Sequence, residues 1–270
     1  MAAAHSEINR INPHQLKALL SPVQGRFDVD VLAECTSTNS VLSARAAQGA
    51  PSGLVVVADR QTAGRGRRGR SWVSHLHEAE ASLSFSLLWR CAGGVERISG
   101  LSLAIGVAVA RALDALGAQK IGLKWPNDIL FDGRKLGGIL VELQSEQNAT
   151  QAIIGIGLNL QLPPTEQLEH PVAALAHSCT LLPSRQQVLA QLLIELAGVL
   201  DQFAEHGFAA LRSEWQQRHV WHQQSVHLLR DGQIEQAGLC QGVDTDGALL
   251  ILNEQGLVRC LSGDLSLRVA

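Results

Sequence analysis

Short apolar runs along the first part of the chain predict the strands of a β-sheet. The run Leu54–Ala58 is continuously apolar, which is typical of a buried strand. Phe27–Glu34 alternates in part, which is typical of a strand with one polar face. The predicted strands of this part are Phe27–Glu34, Gly53–Asp59, Leu83–Arg90, Ile121–Trp125, Gly138–Leu143 and Ala152–Leu158.

Helical spacing of apolar residues appears between these runs and again after them. One helix from Gln186 carries apolar positions every three or four residues as far as Phe203. A helix over Ser37–Gln48 would have Thr36 or Ser37 as its N-cap, because short hydroxyl side chains satisfy free amide groups there. The further predicted helices are Pro13–Leu20, Val95–Leu116 and Gly207 to about His219, and Gln161–Pro183 is predicted to be a long loop.

The pattern changes after Trp221, where short strand-like segments alternate with turn signals. The turns are predicted at Asp231-Gly232 and Asp246-Gly247, since Asp-Gly pairs favour tight hairpins. Four segments predict strands, namely Val226–Leu229, Ile234–Val243, Ala248–Leu252 and Leu257–Leu261. We therefore predict two domains, residues 1–220 and a small all-β barrel over residues 221–270.

Composition limits the classes of protein that the chain can belong to. Apolar residues make up 46% and charged residues 17%, so a large buried core is expected. The net charge of −3 argues against general attraction to nucleic acid or to an anionic membrane, so any anion site must be local. Met1–Arg10 does not have the pattern of a signal peptide, and the apolar stretch Ile98–Ala110 is too short to span a bilayer.

Cysteine usage points to a reducing compartment. The five cysteines are widely spaced and include no C-x-x-C pair, so neither a disulfide framework nor a structural zinc site is indicated. We expect free thiols in a cytoplasmic protein.

The segment Gln61–Trp72 has the most unusual composition of the chain. Four arginines and three glycines fill the seven positions Gly64–Arg70. Glycines let backbone amides approach a ligand, and arginine forks suit carboxylate and phosphate oxygens. The alternatives are a solvated basic loop and an arm that binds nucleic acid.

Gly64, Gly66 and Gly69 of this segment also satisfy G-x-G-x-x-G, the dinucleotide-binding pattern. That pattern needs its first glycine at the end of the strand and an apolar helix afterwards. Here the apolar run ends at Ala58, and arginines occupy the positions where helix-packing residues belong. The pattern therefore does not predict an oxidoreductase site.

A second polar segment follows the strand that ends at Trp125. Pro126 ends its hydrogen bonding, and Asn127 and Asp128 start a turn. The Asp132-Gly133 pair then predicts a hairpin turn that returns Lys135 to the same edge. A lysine beside Asn and Asp fits an ATP and carboxylate site, and the alternative is an ordinary hairpin with a solvated lysine.

Two shorter segments complete the set. Glu34–Ser40 carries small polar residues between a strand and a helix, and simple helix capping is its alternative explanation. Gly155–Leu160 contains glycines that allow close approach to a strand, and the alternative is a core strand weakened by glycine.

Taken together, these segments resemble the bacterial biotin–protein ligases, in a form without the N-terminal helix-turn-helix repressor domain. The family motifs S-T-N, Q-x-A-G-R-G-R-x-G-R-x-W, K-W-P-N-D, K-L-x-G-I-L-V-E and G-x-G-x-N occur here in order from Ser37 to Asn159. The resemblance implies an α+β fold, with a mixed β-sheet catalytic domain packed with helices and a small C-terminal β-barrel.

The resemblance implies a reaction in two steps. Biotin, the substrate, attacks the α-phosphorus of ATP and gives biotinyl-5′-AMP, with Mg²⁺ on the phosphates. A lysine of a biotin carboxyl carrier protein, a domain of acetyl-CoA carboxylase, then takes the biotinyl group. Because both reactants of the first step are anions, fixed cations are needed around them.

The resemblance also implies roles for individual residues. The implied biotin-binding residues are Ser37, Thr38, Asn39, Gln61, Arg65, Gly66, Arg67 and Lys135. The implied nucleotide-binding residues are Trp72, Asn127 and Asn159. The implied catalytic residues are Lys135, Arg65, Arg67 and Asp128, of which Asp128 would orient the acceptor amine.

Two departures from the family pattern concern DNA binding and the rim of the site. Only 36 residues precede Ser37, so we expect no specific DNA binding. Val73–Ala81 replaces a glycine-containing turn, and we interpret it as a longer surface loop. The alternative is a metal site formed by His75, His77, Glu78 and Glu80.

Other functions remain as alternatives. A lipoate–protein ligase has related chemistry, although Gly64–Arg70, which we call the arginine loop, and the motif K-W-P-N-D favour biotin. A non-enzymatic nucleic-acid-binding module could use the arginine loop, but the acidic net charge opposes it. The sequence leaves the oligomeric state open, with a homodimer among the options.

Overall fold

The computed structural model describes residues 11–72, 81–145, 149–162, 172–261 and 265–270. These residues form a seven-stranded sheet with helices and a separate five-stranded sheet at the C-terminal end. The predicted α+β class is therefore confirmed. The predicted domain boundary at Trp221 stays a prediction.

The larger sheet is mixed. Its strands are β1 Asp28–Cys35, β2 Leu54–Gln61, β3 Ser82–Ala92, β4 Ile121–Lys124, β5 Asp128–Phe131, β6 Arg134–Ser145 and β7 Ala149–Asn159. Their order is β1-β2-β3-β7-β6-β5-β4. The β1–β2 pair is parallel and the other pairs are antiparallel.

Helices cover both faces of this sheet, which explains the continuously apolar run of β2. Val55 and Val57 belong to the main core, whereas Val56 packs with Leu42 in a second cluster on the opposite face. The helices are α1 Pro13–Leu19, α2 Thr38–Ala47, α3 Leu101–Ala115, α4 Arg185–His206 and α5 Arg212–Arg218.

The predicted helix over Val95–Leu116 was wrong in its first turn. Val95–Ile98 forms a 3₁₀ turn, and α3 begins only at Leu101, after Gly100 with φ +78°. A Cβ on Gly100 would lie 2.6 Å from the Cβ of Phe208. The chain therefore bends where it passes close to Phe208, a contact that local spacing does not reveal.

The helix predicted from Gly207 to about His219 is likewise divided. Gly207 has φ +67°, a 3₁₀ turn covers Phe208–Ala210, and α5 spans only Arg212–Arg218. The packing of Phe208 against Gly100 accounts for this interruption.

The C-terminal sheet is antiparallel throughout. Its strands are β8 Ser225–Arg230, β9 Gln233–Val243, β10 Leu249–Asn253, β11 Gly256–Cys260 and β12 Leu265–Val269, in the order β11-β10-β9-β8-β12. Four of these strands match predicted segments, and β12 was not predicted. Apolar residues of both sheets, such as Leu123 and Val226, belong to one continuous core.

Two helical segments, Val95–Ala115 and Arg185–His206, are long and apolar enough to cross a membrane by length and composition alone. Their apolar windows are 67% and 56% buried inside the fold. Core helices of soluble proteins have the same character, so these segments are weak support for a membrane protein. All five cysteines are free, as predicted.

Candidate active site

A cleft lies where the larger sheet meets the arginine loop and β12. It gathers polar residues from segments that are distant in the sequence. Of the predicted site residues, the cleft is lined by Ser37, Thr38, Asn39, Gln61, Arg65, Gly66, Arg67, Trp72, Asn127, Asp128 and Lys135. Asn159 lies outside its wall and donates to the carbonyl of Ala173 at 3.1 Å.

The N-terminus of α2 forms the polar floor of the cleft. The backbone amide of Thr38 donates to Oε1 of Gln61 at 2.8 Å. Ser37 occupies the N-cap position, but its side chain makes no capping hydrogen bond. Ser37, Thr38, Asn39 and Gln61 are all buried. Helix capping therefore does not account for the side chain of Ser37, which lines the cleft.

Two residues that were not predicted support this floor. The hydroxyl of Ser86 lies 2.7 Å from Oγ1 of Thr38 and 2.5 Å from Oδ1 of Asn39. Nδ2 of Asn39 donates to Oε2 of Glu142 at 2.7 Å. Glu142 also forms an ion pair with Arg65, so one carboxylate joins the floor to the arginine loop.

The glycines of Gly155–Gly157 leave room for two side chains of the site. A Cβ on Gly155 would lie 2.2 Å from Oδ1 of Asn39, and a Cβ on Gly157 would lie 2.5 Å from Cε2 of Trp72. Trp72 is further oriented by its indole nitrogen, which donates to Ser84 Oγ at 3.1 Å. These glycines are therefore explained by close approach of the site.

The arginine loop forms a compact turn over the cleft. The amide of Gly66 donates to the carbonyl of Arg70 at 2.7 Å, and Trp72 donates to the carbonyl of Gly64 at 2.9 Å. Arg67 donates to Oδ1 of Asn127 at 3.2 Å. The loop therefore contacts two edges of the cleft: Arg67 contacts Asn127 on one, and Arg65 pairs with Glu142 on the other.

The hairpin predicted at Asp132-Gly133 is confirmed, with φ values of +48° and +77°. It places Lys135 beside Asp128, and Nζ of Lys135 lies 2.6 Å from Oδ1 of Asp128. Nζ of Lys124 lies 2.9 Å from Oδ2 of the same carboxylate. One carboxylate therefore has a lysine on each oxygen.

Neighbouring charges and burial shift the pKa values of Asp128 and Lys124 in opposite directions. Burial raises the pKa of Asp128, but the two lysines outweigh it and lower the pKa to about 2. Burial lowers the pKa of Lys124, and the attraction of Asp128 offsets part of that change. Asp128 is therefore ionised at neutral pH.

The C-terminal sheet completes the wall of the cleft. The residues Leu265–Arg268 of β12 line it. Trp125 is fully buried, is joined to Pro126 by a cis peptide, and donates its indole hydrogen to the carbonyl of Gly247 at 3.1 Å. The sequence left the contribution of the C-terminal barrel open, and it did not reveal the contacts of Lys124, Glu142 and Ser86. Lys124 and Glu142 belong to noted motifs and Ser86 to a predicted strand, but nothing local showed that these side chains meet site residues.

The carboxylates of the cleft do not form a metal site by themselves. Within the described residues there is no group of three or more His, Cys, Asp or Glu that could hold a metal ion. Asp128 and Glu142 are each engaged by cationic side chains. The proposed ligands His75, His77, Glu78 and Glu80 lie outside the described residues, as does most of the predicted Val73–Ala81 loop.

Arg65, Arg67 and Lys135 face a space that is floored by neutral polar groups. Such an arrangement can hold two anionic groups close together, because fixed cations reduce their mutual repulsion. The neutral floor can bind an uncharged polar ring system beside them.

Comparisons with known proteins identify the family of the chain. Residues 31–159 match the biotin/lipoate A/B protein ligase family. The chain is 36% identical over 257 residues to the bifunctional ligase/repressor BirA of Escherichia coli, covering 94% of this chain and 78% of that protein. It is 33% identical over 238 residues to the biotin–[acetyl-CoA-carboxylase] ligase of Mycobacterium tuberculosis, covering 86% of each.

A solved structure agrees in fold as well. The biotin protein ligase from Aquifex aeolicus in complex with biotin and ATP has a TM-score of 0.77 and 31% sequence identity, and the match covers 90% of this chain and 99% of that one. The protein therefore belongs to the biotin/lipoate A/B protein ligase family.

Proposed function

We propose that this chain is an ATP-dependent biotin–protein ligase, which activates biotin as biotinyl-5′-AMP and transfers it to a lysine of a biotin carboxyl carrier protein. The observation that carries the proposal is the cleft, in which Arg65, Arg67 and Lys135 meet beside a buried neutral floor. Relatives named as biotin ligases and a solved relative that binds biotin and ATP support it.

The floor suits the ring system of biotin. A cyclic urea presents one carbonyl acceptor and two N–H donors, and it is uncharged. Ser37, Thr38, Asn39 and Gln61 supply hydroxyl and amide groups of both kinds, all buried. We assign biotin to this floor, with its carboxylate directed to Lys135.

The nucleotide would bind beside Trp72 and Asn127. The Trp72 ring covers Gly157 and is held by Ser84, so it offers a fixed wall for the adenine. Asn127 contacts Arg67 and therefore connects this wall to the arginine loop. A role of Asn159 in nucleotide binding stays a prediction, because that residue lies outside the cleft wall.

The charges of the cleft fit the first step. The carboxylate of biotin must approach the α-phosphate of ATP, and both are anions. Lys135 is placed to bridge oxygens of the two groups, and Arg65 and Arg67 of the loop would close over them. A closed loop also excludes water from the reactive mixed anhydride.

The second step needs an acceptor amine at the same place. Asp128 is ionised and lines the cleft, so it can accept a hydrogen bond from the amine of the acceptor lysine and orient it. We propose the biotin carboxyl carrier protein as acceptor. Magnesium would be held mainly by the phosphates of ATP, since the described carboxylates of the cleft are already paired.

A homodimer is part of the proposal. On one edge, Leu140–Ser145 of β6 pairs with β7. On the other edge, β5 pairs with β6 only as far as Gly138, so that edge of Leu140–Ser145 has no partner strand among the described residues. Such an edge can pair with a second copy of the chain. We further propose a cytoplasmic location, supported by the free cysteines.

The decisive experiment is an assay for exchange of labelled pyrophosphate into ATP. We expect exchange that depends on biotin and is not supported by lipoate. Exchange with lipoate alone would support the lipoate ligase instead. Absence of exchange with either acid would contradict the adenylation reaction.

A further inference from the structure

We infer that Lys124 is a positioning residue of the reaction, because it acts as the permanent counterion of Asp128 and thereby frees Lys135 to turn towards the reacting phosphate. This inference rests on the proposed function. It assigns different roles to the two lysines that share one carboxylate.

The two lysines contact different oxygens of Asp128 and differ in exposure. Lys124 contacts Oδ2 at 2.9 Å with a side chain 11% exposed, whereas Lys135 contacts Oδ1 at 2.6 Å with a side chain 38% exposed. Asp128 itself is 15% exposed. All three residues line the cleft, but Lys124 is largely enclosed with the carboxylate, whereas Lys135 is the more exposed of the two lysines.

The strand pairing holds Lys124 in place. Lys124 and Asp128 are directly opposite each other across the short β4–β5 hairpin, so their side chains start from adjacent positions. The ammonium of Lys124 also lies 5.0 Å from the ring centroid of Trp221. The ion pair and the aromatic contact both stabilise the buried ammonium of Lys124 in this position.

Lys135 has more freedom. It lies on β6 next to an irregularity in the β5–β6 register, opposite Leu130. A Cβ placed on Gly138 would have only the end of the Lys135 side chain within 4 Å, at 3.6 Å from Nζ. The lysine therefore extends over an open glycine surface and can reorient without displacing other groups.

The electrostatic consequence follows from burial. A buried carboxylate that loses its only cation is strongly unfavourable, because its charge is then neither solvated nor paired. With Lys124 in place, Asp128 keeps one ion pair when Lys135 turns to the phosphate. Without Lys124, Asp128 would keep its ion pair with Lys135, and the Lys135 ammonium would not be available to the phosphate during adenylation.

The test compares Lys124→Met with the double variant Lys124→Met/Asp128→Asn. We expect the single variant to lose about tenfold or more in the rate of pyrophosphate exchange at saturating biotin and ATP, which corresponds to about 1.4 kcal/mol or more. The double variant should recover much of that loss, because the carboxylate that holds Lys135 is gone. Because neutralising an unpaired buried carboxylate can also restabilise the fold, exchange is compared at a temperature where thermal unfolding shows both variants to be fully folded, so that recovery reports on the rate and not on stability.

A readout without substrates separates this inference from the proposed function. Acylation of Lys135 by an amine reagent, quantified by mass spectrometry, should fall severalfold in Lys124→Met, since Asp128 then binds that ammonium alone. Lys120→Met is the matched control, because Lys120 is 69% exposed and lies outside the cleft. Failure of wild-type exchange would count against the proposed function, and the labelling would still test the inference.

Two results would overturn the inference. One is a Lys124→Met protein with wild-type exchange and wild-type labelling of Lys135. The other is a double variant no faster than the single one. If Lys124→Met does not fold, as judged by thermal unfolding, Lys124→Gln with and without Asp128→Asn carries the same comparison.

Discussion

At the scale of single residues, the proposed function gives the charges of the cleft two different roles. In this proposal Lys135, Arg65 and Arg67 would bind the ligands, whereas Lys124 and Glu142 would hold other site residues in place. The distinction lies in exposure and partners, because residues of the same type serve both purposes. Substitutions at the first group should affect the chemistry directly.

Lys135→Ala should lower the rate of biotin-dependent pyrophosphate exchange by about a hundredfold or more, the usual effect of losing a charge directed at a transition state. The measurement is exchange at saturating substrates. Lys120→Ala is the control, since its side chain is 69% exposed and pairs with Asp132 away from the cleft. Near-normal exchange by Lys135→Ala would remove this lysine from the mechanism.

Arg67→Gly should weaken retention of the adenylate, because a cationic contact across the cleft is lost. Loss of a charged hydrogen bond corresponds to a dissociation rate about ten to a hundred times higher. Stopped-flow release of biotinyl-5′-AMP would measure it. Arg26→Gly is the control, because Arg26 is a loop arginine that pairs with Asp201 outside the cleft. An unchanged adenylate lifetime would argue against the contact.

At the scale of elements, the arginine loop is held by the C-terminal sheet as well as by the cleft. Arg68 donates to Oδ1 of Asp231 at 2.9 Å, and Asp231 lies in the turn between β8 and β9. The backbone of Arg68 has φ +62°, a region that costs energy for a residue with a side chain. The ion pair thus helps to hold a strained loop conformation.

Asp231→Asn should loosen the loop and speed release of the adenylate by up to about fivefold, since an exposed ion pair contributes at most about 1 kcal/mol. High salt should reduce the difference between variant and wild type, because it screens the same pair. Asp246→Asn is the matched control, as Asp246 pairs with Arg259 within the C-terminal sheet. Equal release rates at low salt would show that this contact does not order the loop.

At the scale of the whole molecule, the two sheets are joined through a buried histidine. The ring of His219 stacks on Trp215, with ring centroids 4.7 Å apart. The backbone of His219 forms an isolated β-bridge with Leu123 of β4, and its Nδ1 lies 3.9 Å from Sγ of Cys240 in β9. Burial, with a smaller contribution from His222, lowers the pKa of His219 to about 3. The folded protein therefore keeps this ring neutral.

The consequence is a stability that falls in mild acid. Between about pH 6.5 and pH 3, His219 is protonated in the unfolded chain but neutral in the folded protein. Proton binding therefore favours the unfolded state in this range, and the free energy of unfolding falls as the pH falls. Unfolding in urea at pH 5 should therefore show a loss of up to about 2 kcal/mol relative to pH 7. The loss should be smaller in His219→Gln and unchanged in His14→Gln, an exposed control. Equal pH dependence in all three proteins would refute this explanation.

Much of the fold could be predicted from the sequence because its strands and helices are locally patterned. The run of β2, the helical spacing of α4 and the Asp-Gly turns all encode their conformation within a few residues. The interruption at Gly100 was missed because it depends on close approach to Phe208, and such a contact leaves no local pattern. Strand β12 was missed although Leu265–Val269 alternates apolar and polar residues, which is a local signal for a strand.

The sequence by itself determined which segments are candidates for the site, since the arginine loop, the Lys124–Asp128 segment and Lys135 stand out by residue type and spacing, and all three reach one cleft. Only the tertiary structure decided how they meet. It placed Glu142 between Asn39 and Arg65, set two lysines on one carboxylate, and brought β12 to the cleft. The reason is physical: ion pairs and close glycine contacts form between strands that are neighbours in the sheet but far apart along the chain.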